Sequence, residues 1–293
     1  MKRILATVSI LAFFSFAALA QQTRQAVVNL SSCCIRNAPD YESGLDTQAR
    51  MGDIVQVLDN EGVWYKVETP DPYVGWTAEL SLAFMSEEEV EAYRNAPKWI
   101  CVAEYTHIFA KPDGDAPRIC DFVMGDVVRK TASKARGWVC VTLPDGKNGW
   151  VRKSDVEDLE KWTATRVCTA ENIISLAMEF VGVPYLWGGI SPKYFDCSGL
   201  TKFCFMMNGG WLPRDCSQQI KQGTAVALDV QAMEPGDLLF FGNPETGRPA
   251  HVGIYIGNGR MIHASQLVRI NSIVEGEPDY YASKQLIAVR RVL

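Results

Sequence analysis

The sequence of 293 residues predicts an α+β domain at its C-terminal end, preceded by two small all-β barrels. Three observations support this fold class. The N-terminal half contains an internal repeat of short β-rich runs, an amphipathic helix follows at about residue 169, and strand-like runs fill the rest of the chain. The three observations indicate a protein built from several domains.

The repeat in the N-terminal half is visible in its Gly, Pro and Trp residues. The interval from Pro to Gly is thirteen residues in both copies, and the interval between the two Trp residues is twelve in both. Matched spacing of this kind indicates a duplicated domain, with copies at residues 25–84 and 97–156. The repeated positions are Pro39-Asp40, Gly52-Asp53, Trp64 and Gly75-Trp76, then Pro112-Asp113, Gly125-Asp126, Trp138 and Gly149-Trp150.

Helix signals separate the copies and open the last domain. Ser86 followed by three Glu residues predicts a connector helix within residues 85–96, because a Ser cap and an acidic first turn both favour a helix N-terminus. Thr169 opens a second predicted helix, which Gly182 and Pro184 end. A third helix should begin at about Cys197, and strands are predicted at 237–241, 250–256, 260–264 and 286–292. The C-terminal α+β domain therefore spans residues 165–293.

The first twenty residues predict a secretory signal peptide. Lys2 and Arg3 precede an apolar run, and Ala18-Leu19-Ala20 forms a small-residue cleavage site. The run is short for a membrane span, and Gln21 rather than a Cys follows the cleavage site. We therefore expect export to the periplasm or the extracellular space, without stable membrane insertion.

Composition excludes several classes of partner. The net charge of -5 and the isoelectric point of about 5.4 argue against nucleic acid or anionic lipid, which select for clustered Lys and Arg. Three histidines and the absence of a CxxC pair argue against a zinc site, so no metal and no cofactor are expected. Pairing among the nine Cys residues and the oligomeric state stay open at this point.

The strongest candidate for catalysis is Cys197, at the start of a predicted helix. Unpaired amides and the helix dipole at that position favour a thiolate, which predicts a lowered thiol pKa. Two of the three histidines, His251 and His263, follow in a strand-like segment and supply a general base and its orienting partner. Taken one at a time, a Cys among apolar neighbours and a His in a strand are ordinary structural residues, so the prediction depends on the set.

The face on which the two histidines lie depends on the turn between their strands. A two-residue turn at Asn258-Gly259 would pair His251 with Gln266 and put His263 on the opposite face. A three-residue Gly-Asn-Gly loop would pair His251 with Ser265 and bring the imidazoles together. We predict the three-residue loop, with His251 as the base toward the thiol.

Five motifs in the last third resemble those of the NlpC-type cell-wall peptidases, a papain-like cysteine peptidase family. The set covers residues 168 to 293 and is specific because all five occur in order. The Gly-Asp-x-Val, Trp and Gly-Trp pattern of the first half resembles bacterial SH3 domains. The five motifs are Tyr185-x-Trp187-Gly188-Gly189, Asp196-Cys197-Ser198-Gly199-Leu200, Pro213-Arg214, Pro235-Gly236-Asp237-Leu238 and His251-Val252-Gly253-Ile254-Tyr255-Ile256-Gly257.

The resemblance is to endopeptidases that cleave γ-D-glutamyl to diamino-acid bonds in peptidoglycan stem peptides with a free N-terminal L-Ala. It implies a catalytic triad of Cys197, His251 and His263, acting through a thioester. It also implies that Tyr185 helps form the oxyanion site, that Asp196 holds the substrate amine and that Trp187 forms a pocket wall. Further implied substrate contacts are Ser198, Arg214 and Asp215 at the γ-D-Glu subsite, and Tyr73 of the first SH3 domain.

Two departures from the family pattern leave alternatives open. Where relatives carry a Ser-Glu-Leu run, this chain has Ser43-Gly44-Leu45, so Glu42 or Asp46 could replace the acidic ligand of the amine. Cys216 or Ser217 could supply the polar contact to the substrate carboxylate. Tyr73 could instead be an aromatic residue of the barrel rim.

Two other functions compete with the endopeptidase. An amidase or acyltransferase could use the same triad on another acyl group, and a cell-wall-binding module could carry an inert C-terminal domain. The accepted diamino acid is left open. So is the role, whether wall turnover, recycling or attack on foreign peptidoglycan.

Overall fold

Two sheets with the same strand order form the N-terminal half of the chain. The computed structural model describes residues 24–293, and the predicted signal peptide lies outside them. The first sheet has the order β3-β2-β6-β5-β4-β1-β7. Its strands are β1 (Arg24–Val28), β2 (Cys33–Arg36), β3 (Leu45–Ala49), β4 (Ile54–Glu61), β5 (Trp64–Glu68), β6 (Val74–Ala78) and β7 (Leu82–Met85).

The second sheet follows helix α1 (Glu87–Asn95), for which Ser86 forms the predicted cap within a capping box with Glu89. Its order is β10-β9-β13-β12-β11-β8-β14, which is the order of the first sheet shifted by seven strands. The internal repeat is therefore a repeat of topology. The strands are β8 (Lys98–Cys101), β9 (Tyr105–Phe109), β10 (Arg118–Val123), β11 (Val127–Ala135), β12 (Trp138–Thr142), β13 (Asn148–Arg152) and β14 (Val156–Asp158).

The two sheets meet at their equivalent Met-Gly-Asp turns. Gly52 and Gly125 have φ angles of +96° and +92°, which favour glycine, and each following Asp accepts the amide three residues before it at 2.9 Å. The second carboxylate oxygen of Asp126 also accepts the Met51 amide, at 3.1 Å, across the junction. The fully buried Asp126 thus joins the two sheets.

The C-terminal part begins with α2 (Leu159–Thr165) and α3 (Ala170–Glu179), and Thr169 caps α3 as predicted. A short hairpin of β15 (Ile190–Ser191) and β16 (Tyr194–Phe195) precedes α4 (Cys197–Met207) and α5 (Cys216–Gln219). A six-stranded sheet of order β17-β22-β18-β19-β20-β21 completes the part. Its strands are β17 (Thr224–Val226), β18 (Leu238–Asn243), β19 (Arg248–Gly257), β20 (Arg260–Ser265), β21 (Leu267–Ser272) and β22 (Gln285–Arg291).

Helix α4 is the centre of this domain. Ten of its eleven residues are buried, and it packs against β19 and β20. Phe203 of α4 contacts Phe180 and Phe195, with ring centroids 5.6 and 5.3 Å apart. Because α4 is packed on every side, the position of its first residue is fixed by the core. None of the helices within residues 24–293 is long and apolar enough to cross a membrane.

Strand β3 of the first sheet lies against the C-terminal domain. Gln48 accepts the backbone amide of Ile190 at 3.0 Å, and Thr47 accepts from the Arg214 guanidinium at 2.8 Å. Lys202, on α4, forms a 2.9 Å ion pair with Asp71 of the first sheet. The first sheet is therefore positioned to contribute residues to any site near α4.

Substitution of Asp126 tests the junction between the sheets. We expect Asp126→Ala to lower the free energy of unfolding by about 2 to 4 kcal/mol, because the buried amides of Met51 and Val123 lose their acceptor. Urea unfolding measures the change. Asp115→Ala, at an exposed Asp of the same sheet, is the control and should change stability by less than about 0.5 kcal/mol. Equal effects of the two variants would contradict this role of Asp126.

Candidate active site

Cys197 is the first residue of α4, and its position is set by the residue before it. Asp196 caps the helix by accepting the Gly199 amide at 2.7 Å, and it also accepts the Gly188 amide at 2.9 Å. The thiol is 8% exposed, and the backbone amides of Ser198 and Val252 donate toward its sulfur. The nucleophile predicted from the sequence therefore lies at a capped helix terminus beside the strand that carries His251.

The thiol does not have the lowered pKa that its helical position predicts. Burial raises the pKa of Cys197 to about 12, and the charge of Asp196 acts in the same direction. The two amides act in the opposite direction and do not offset the loss of hydration. Cys197 is therefore a neutral thiol in this structure, and attack on a carbonyl requires a base to remove its proton.

The histidine hairpin uses a different turn from the predicted one. Asn258 and Gly259, with φ angles of 53° and 69°, form a two-residue turn, so the predicted three-residue loop is wrong. A β-bulge between Tyr255 and Gly257 adds one residue to β19. The bulge restores the register that the longer loop would have given, and both imidazoles lie on one face as predicted.

The two imidazoles form a hydrogen-bonded relay that ends at an asparagine. His251 Nε2 lies 2.7 Å from His263 Nδ1, and His263 Nε2 lies 2.9 Å from Asn271 Oδ1. Asn271 Nδ2 donates to the carbonyl oxygen of Asp279 at 2.6 Å, which fixes Oδ1 as the acceptor toward His263. His263 then carries its proton on Nε2 and accepts at Nδ1. His251 donates from Nε2, and its Nδ1 is left unprotonated as the base.

Burial keeps both imidazoles neutral. It lowers the pKa of His251 to about 3 and that of His263 to about 4, and the charge of Arg269 adds to both shifts. Tyr281 stacks on His251 with centroids 5.1 Å apart and an interplanar angle of 27°. His251 is thus held in one orientation and in its neutral form, as a general base for the thiol would need to be.

Asp196 and Arg214 form a buried ion pair beside the nucleophile. The guanidinium contacts both carboxylate oxygens, at 2.5 and 3.1 Å, and donates to the Ser198 hydroxyl at 3.1 Å. Asp196 also accepts two backbone amides, and its side chain is 8% exposed. In this structure Asp196 and Arg214 bind each other, whereas the resemblance implied direct substrate contacts for both.

A cleft of about 460 Å³ opens beside Cys197. It lies between β3 of the first sheet, the loop before α4, α5 and the start of β19. Its acidic end is formed by Asp46 and Asp215, where the Tyr73 hydroxyl lies 3.5 Å from Asp215. The candidate residues that line the cleft are Tyr73, Tyr185, Trp187, Asp196, Cys197, Ser198, Asp215 and Ser217.

The remaining candidates lie behind the cleft wall. His251 and His263 are 6% and 0% exposed, and Arg214 lines a small cavity on the other side of the wall. Of the two acidic alternatives from the first sheet, Asp46 lines the cleft and Glu42 is exposed away from it. Both Cys216 and Ser217 line the cleft, so the structure leaves that alternative open.

Sequence reasoning missed four residues near the cleft. Asn271 and Tyr281 orient the histidines, and Arg248 and Lys284 line the cleft where it meets a neighbouring groove. The alternation of Arg269, Ile270 and Asn271 is the signal for the first of these, since it places Asn271 on the same face as Arg269. Tyr281 and Lys284 come near the site through the sheet order, and Arg248 lies on the same strand as His251 but no residue pattern marks it.

Within the described residues 24–293, no group of three or more His, Cys, Asp or Glu side chains is arranged to hold a metal ion. All nine Cys residues lie in this part of the chain as free thiols.

Comparison with known proteins assigns the family. The sequence model of the NlpC/P60 family matches residues 182–291, and that of a bacterial dipeptidyl-peptidase SH3 domain matches residues 35–82. The chain is 33% identical over 256 residues to a gamma-D-glutamyl-L-lysine dipeptidyl-peptidase of Bacillus subtilis (strain 168), covering 84% of this chain and 81% of that protein. The chain belongs to the NlpC/P60 family. It is a peptidase with an N-terminal SH3 domain, as the motifs predicted.

Two further NlpC/P60 relatives are similar over most of the chain. A gamma-D-glutamyl-L-lysine dipeptidyl-peptidase of Bacillus cereus (strain ATCC 10987 / NRS 248) is 31% identical over 239 residues, which is 78% of this chain and 70% of that protein. The crystal structure of an NlpC/P60 family protein from Bacillus cereus ATCC 10987 has a TM-score of 0.76 at 26% identity. The match covers 92% of this chain and 99% of that one. The arrangement of sheets and peptidase domain is thus shared with a solved relative.

The role of Asn271 is testable through kinetics. We expect Asn271→Ala to lower kcat about tenfold to a hundredfold with little change in KM, because His263 loses the acceptor that fixes its tautomer. Steady-state peptidase assays separate the two constants. Asn95→Ala, at an exposed amide on α1, is the control. An unchanged kcat in Asn271→Ala would show that the relay ends at His263.

The buried imidazoles also predict a pH dependence of stability. The ordinary His pKa is 6.5, so between pH 6.5 and about 4 the unfolded chain binds protons that folded His251 and His263 do not. Their contribution is fully present above pH 6.5 and is lost as the pH falls. We expect each of the two histidines to reduce the free energy of unfolding by about 1 kcal/mol as the pH falls from 7 to 5.5.

Urea unfolding across this pH range measures the effect. The slope should be shallower in His251→Gln than in the wild type. His107→Gln is the matched control, because that imidazole is only partly buried and should contribute less to the slope. Equal slopes for the wild type and His251→Gln would contradict a neutral, buried His251.

Proposed function

We propose that the chain hydrolyses the γ-D-glutamyl to diamino-acid bond of peptidoglycan stem peptides that carry a free N-terminal L-Ala. The observation that supports this most directly is a single cleft that joins Cys197 to an acidic end built by Asp46, Asp215 and Tyr73. The similarity to gamma-D-glutamyl-L-lysine dipeptidyl-peptidases, over 78% and 84% of this chain, agrees with it. The fold alone does not specify which peptide bond is cleaved, whereas the acidic end of the cleft favours a substrate with a free amine.

The reaction proceeds in two steps that use the same pair of side chains. His251 Nδ1 takes the proton of Cys197 as the sulfur attacks the γ-carbonyl carbon of D-Glu, and the carbonyl oxygen gains negative charge. The amide at the helix terminus and the Tyr185 hydroxyl lie in the region where that charge develops. His251 then protonates the leaving amine as the C–N bond breaks, and a thioester remains.

Hydrolysis of the thioester regenerates the enzyme. His251 removes a proton from water as the water oxygen attacks the thioester carbonyl, and the proton passes to the departing sulfur. His263 stays neutral and holds the base through both steps, because its own Nε2 proton is bound to Asn271. The two steps consume one water and need no cofactor.

The acidic end of the cleft suits a substrate ammonium group. Burial raises the pKa of both Asp46 and Asp215, with the charge of Asp215 adding to the shift at Asp46. Neither side chain forms an ion pair with a Lys or Arg within residues 24–293. A substrate amine bound there would replace the lost hydration of the carboxylates and lower both pKa values.

This arrangement changes the role given to Asp196. Because Arg214 and two backbone amides occupy its carboxylate, we assign the amine to Asp46 and Asp215, and we assign Asp196 to holding the helix terminus. Tyr73 closes the same end from the first sheet. Ser217 and Cys216 then lie beside the D-Glu residue, where either can contact its α-carboxylate.

We extend the SH3 assignment to the second sheet, because its strand order repeats that of the matched SH3 domain strand by strand. In this proposal the first SH3 domain forms a wall of the cleft, and the second, through Asp126, supports the first. Peptidoglycan lies outside the cytoplasmic membrane, which agrees with the predicted export to the periplasm or the extracellular space.

Mass spectrometry of two peptides tests the proposal. We expect the wild type to release L-Lys from L-Ala-γ-D-Glu-L-Lys and to cleave the N-acetylated peptide at least about a hundredfold more slowly, since acetylation removes the charge and fills the acidic end. Cys197→Ala should cleave neither. Asp215→Asn should raise KM for the free-amine peptide, whereas Glu42→Gln, outside the cleft, should not.

Each alternative outcome has a distinct meaning. Equal cleavage of both peptides by the wild type would retain the peptidase and remove the amine site. Cleavage of neither would overturn the proposed bond. Cleavage by Cys197→Ala would show that another nucleophile is used.

A further inference from the structure

The cleft continues past the nucleophile into an open groove of about 700 Å³. The groove and the cleft share four lining residues, so the two form one continuous surface depression. The shared residues are Arg248, Pro249, Ala250 and Lys284. Ala250 precedes the catalytic His251 directly. The groove therefore begins beside the base and leads away from the acidic end.

Two cationic side chains, Arg248 and Lys284, lie where the cleft meets the groove. Arg248 and Lys284 are exposed, and neither forms an ion pair with an acidic side chain in the described part of the chain. The charge of Lys284 lies close enough to His251 to contribute to lowering its pKa. Asp46 and Asp215 line the cleft but not the groove, so the carboxylates and the unpaired cations lie in different parts of the cleft.

The sheet fixes the backbone under both cations. Arg248 is the first residue of β19 and pairs with Asn243 of β18. Lys284 immediately precedes β22, whose first residue pairs with Gly242 of the same strand. Arg248 therefore lies at the start of one strand that flanks β18, and Lys284 lies just before the other. The strand pairing therefore sets the spacing between the backbones of Arg248 and Lys284, which a mobile loop would not do.

We propose that Arg248 and Lys284 form a subsite for the carboxylate of the amino acid that leaves the enzyme. The inference rests on the proposed function, which places the substrate amine at Asp46 and Asp215 and the scissile carbonyl at Cys197. A peptide in that orientation directs its leaving residue past His251, into the shared part of the two depressions. A free carboxylate on that residue then lies near two cations that have no protein partner.

The polarity also selects the direction of binding. A peptide with a positive amine and a negative carboxyl end matches the charges of the cleft in one orientation only, and the reversed orientation brings like charges together at both ends. The enzyme then prefers a short peptide that ends at the leaving residue. A peptide whose leaving residue is amidated gains nothing from the cations.

A kinetic comparison of two substrates tests the subsite. The substrates are L-Ala-γ-D-Glu-L-Lys and the same peptide with a C-terminal carboxamide. We expect the wild-type KM to be about tenfold lower for the acid than for the amide, since two partly exposed charge contacts are worth about that factor, with similar kcat. In the double variant R248Q/K284Q the KM for the acid should rise to the value for the amide. The amide KM should stay as in the wild type.

The control is the double variant K134Q/R136Q, which removes the same charge from an exposed part of the second sheet. It should keep the preference for the acid, and the preference should weaken at high salt. Turnover of the amide by R248Q/K284Q shows that this variant is folded. Equal KM values for acid and amide in the wild type would overturn the subsite and leave the proposed function intact. Cleavage of neither peptide would overturn the proposed function itself.

Discussion

The buried ion pair between Asp196 and Arg214 connects the parts of the molecule on which the site depends. One carboxylate caps the helix that carries the nucleophile, holds the Gly188 loop of the cleft wall and neutralises the guanidinium. The same guanidinium donates to Thr47 of the first sheet. Breaking a buried pair by removal of one partner costs about 3 to 5 kcal/mol in general, because the remaining charge has no solvent. The pair therefore couples the position of Cys197 to the docking of the SH3 domain.

That coupling explains why the first sheet belongs to the site. Asp46 lies on β3, the strand that holds Arg214 through Thr47 and Ile190 through Gln48. The acidic end of the cleft therefore exists only when the first sheet is docked. A free carboxylate on a separate domain would be a solvated charge, whereas here burial between two domains raises its pKa and prepares it for a cationic partner. In the proposed function, recognition of the substrate amine therefore depends on the docking of the first sheet.

Much of this arrangement could be predicted from the sequence, and the exceptions share a cause. Cys197, the common face of His251 and His263, and the cap at Ser86 follow from local patterns of spacing and polarity. The prediction of a three-residue turn was wrong because a bulge at residues 255–257 shifts the strand register by one residue, as a longer loop would have done. No residue type marks a bulge at this position. Asn271 and Lys284 were missed because sheet order and tertiary pairing, rather than sequence proximity, bring them to the site.

The role of Asp196 also depends on a residue that only the tertiary structure brings near it. A carboxylate directly before the nucleophile is consistent with an amine ligand until the position of Arg214 is known. Once the guanidinium takes both oxygens, the local charge is balanced, and a thiolate gains no stabilisation from a nearby cation. Burial is then the main cause of the neutral thiol and the neutral imidazole, and nearby charges act in the same direction as burial on both groups. In the proposed reaction, charge separation therefore waits until a carbonyl is present to accept electron density from sulfur, so proton transfer to His251 and attack by Cys197 belong to one step.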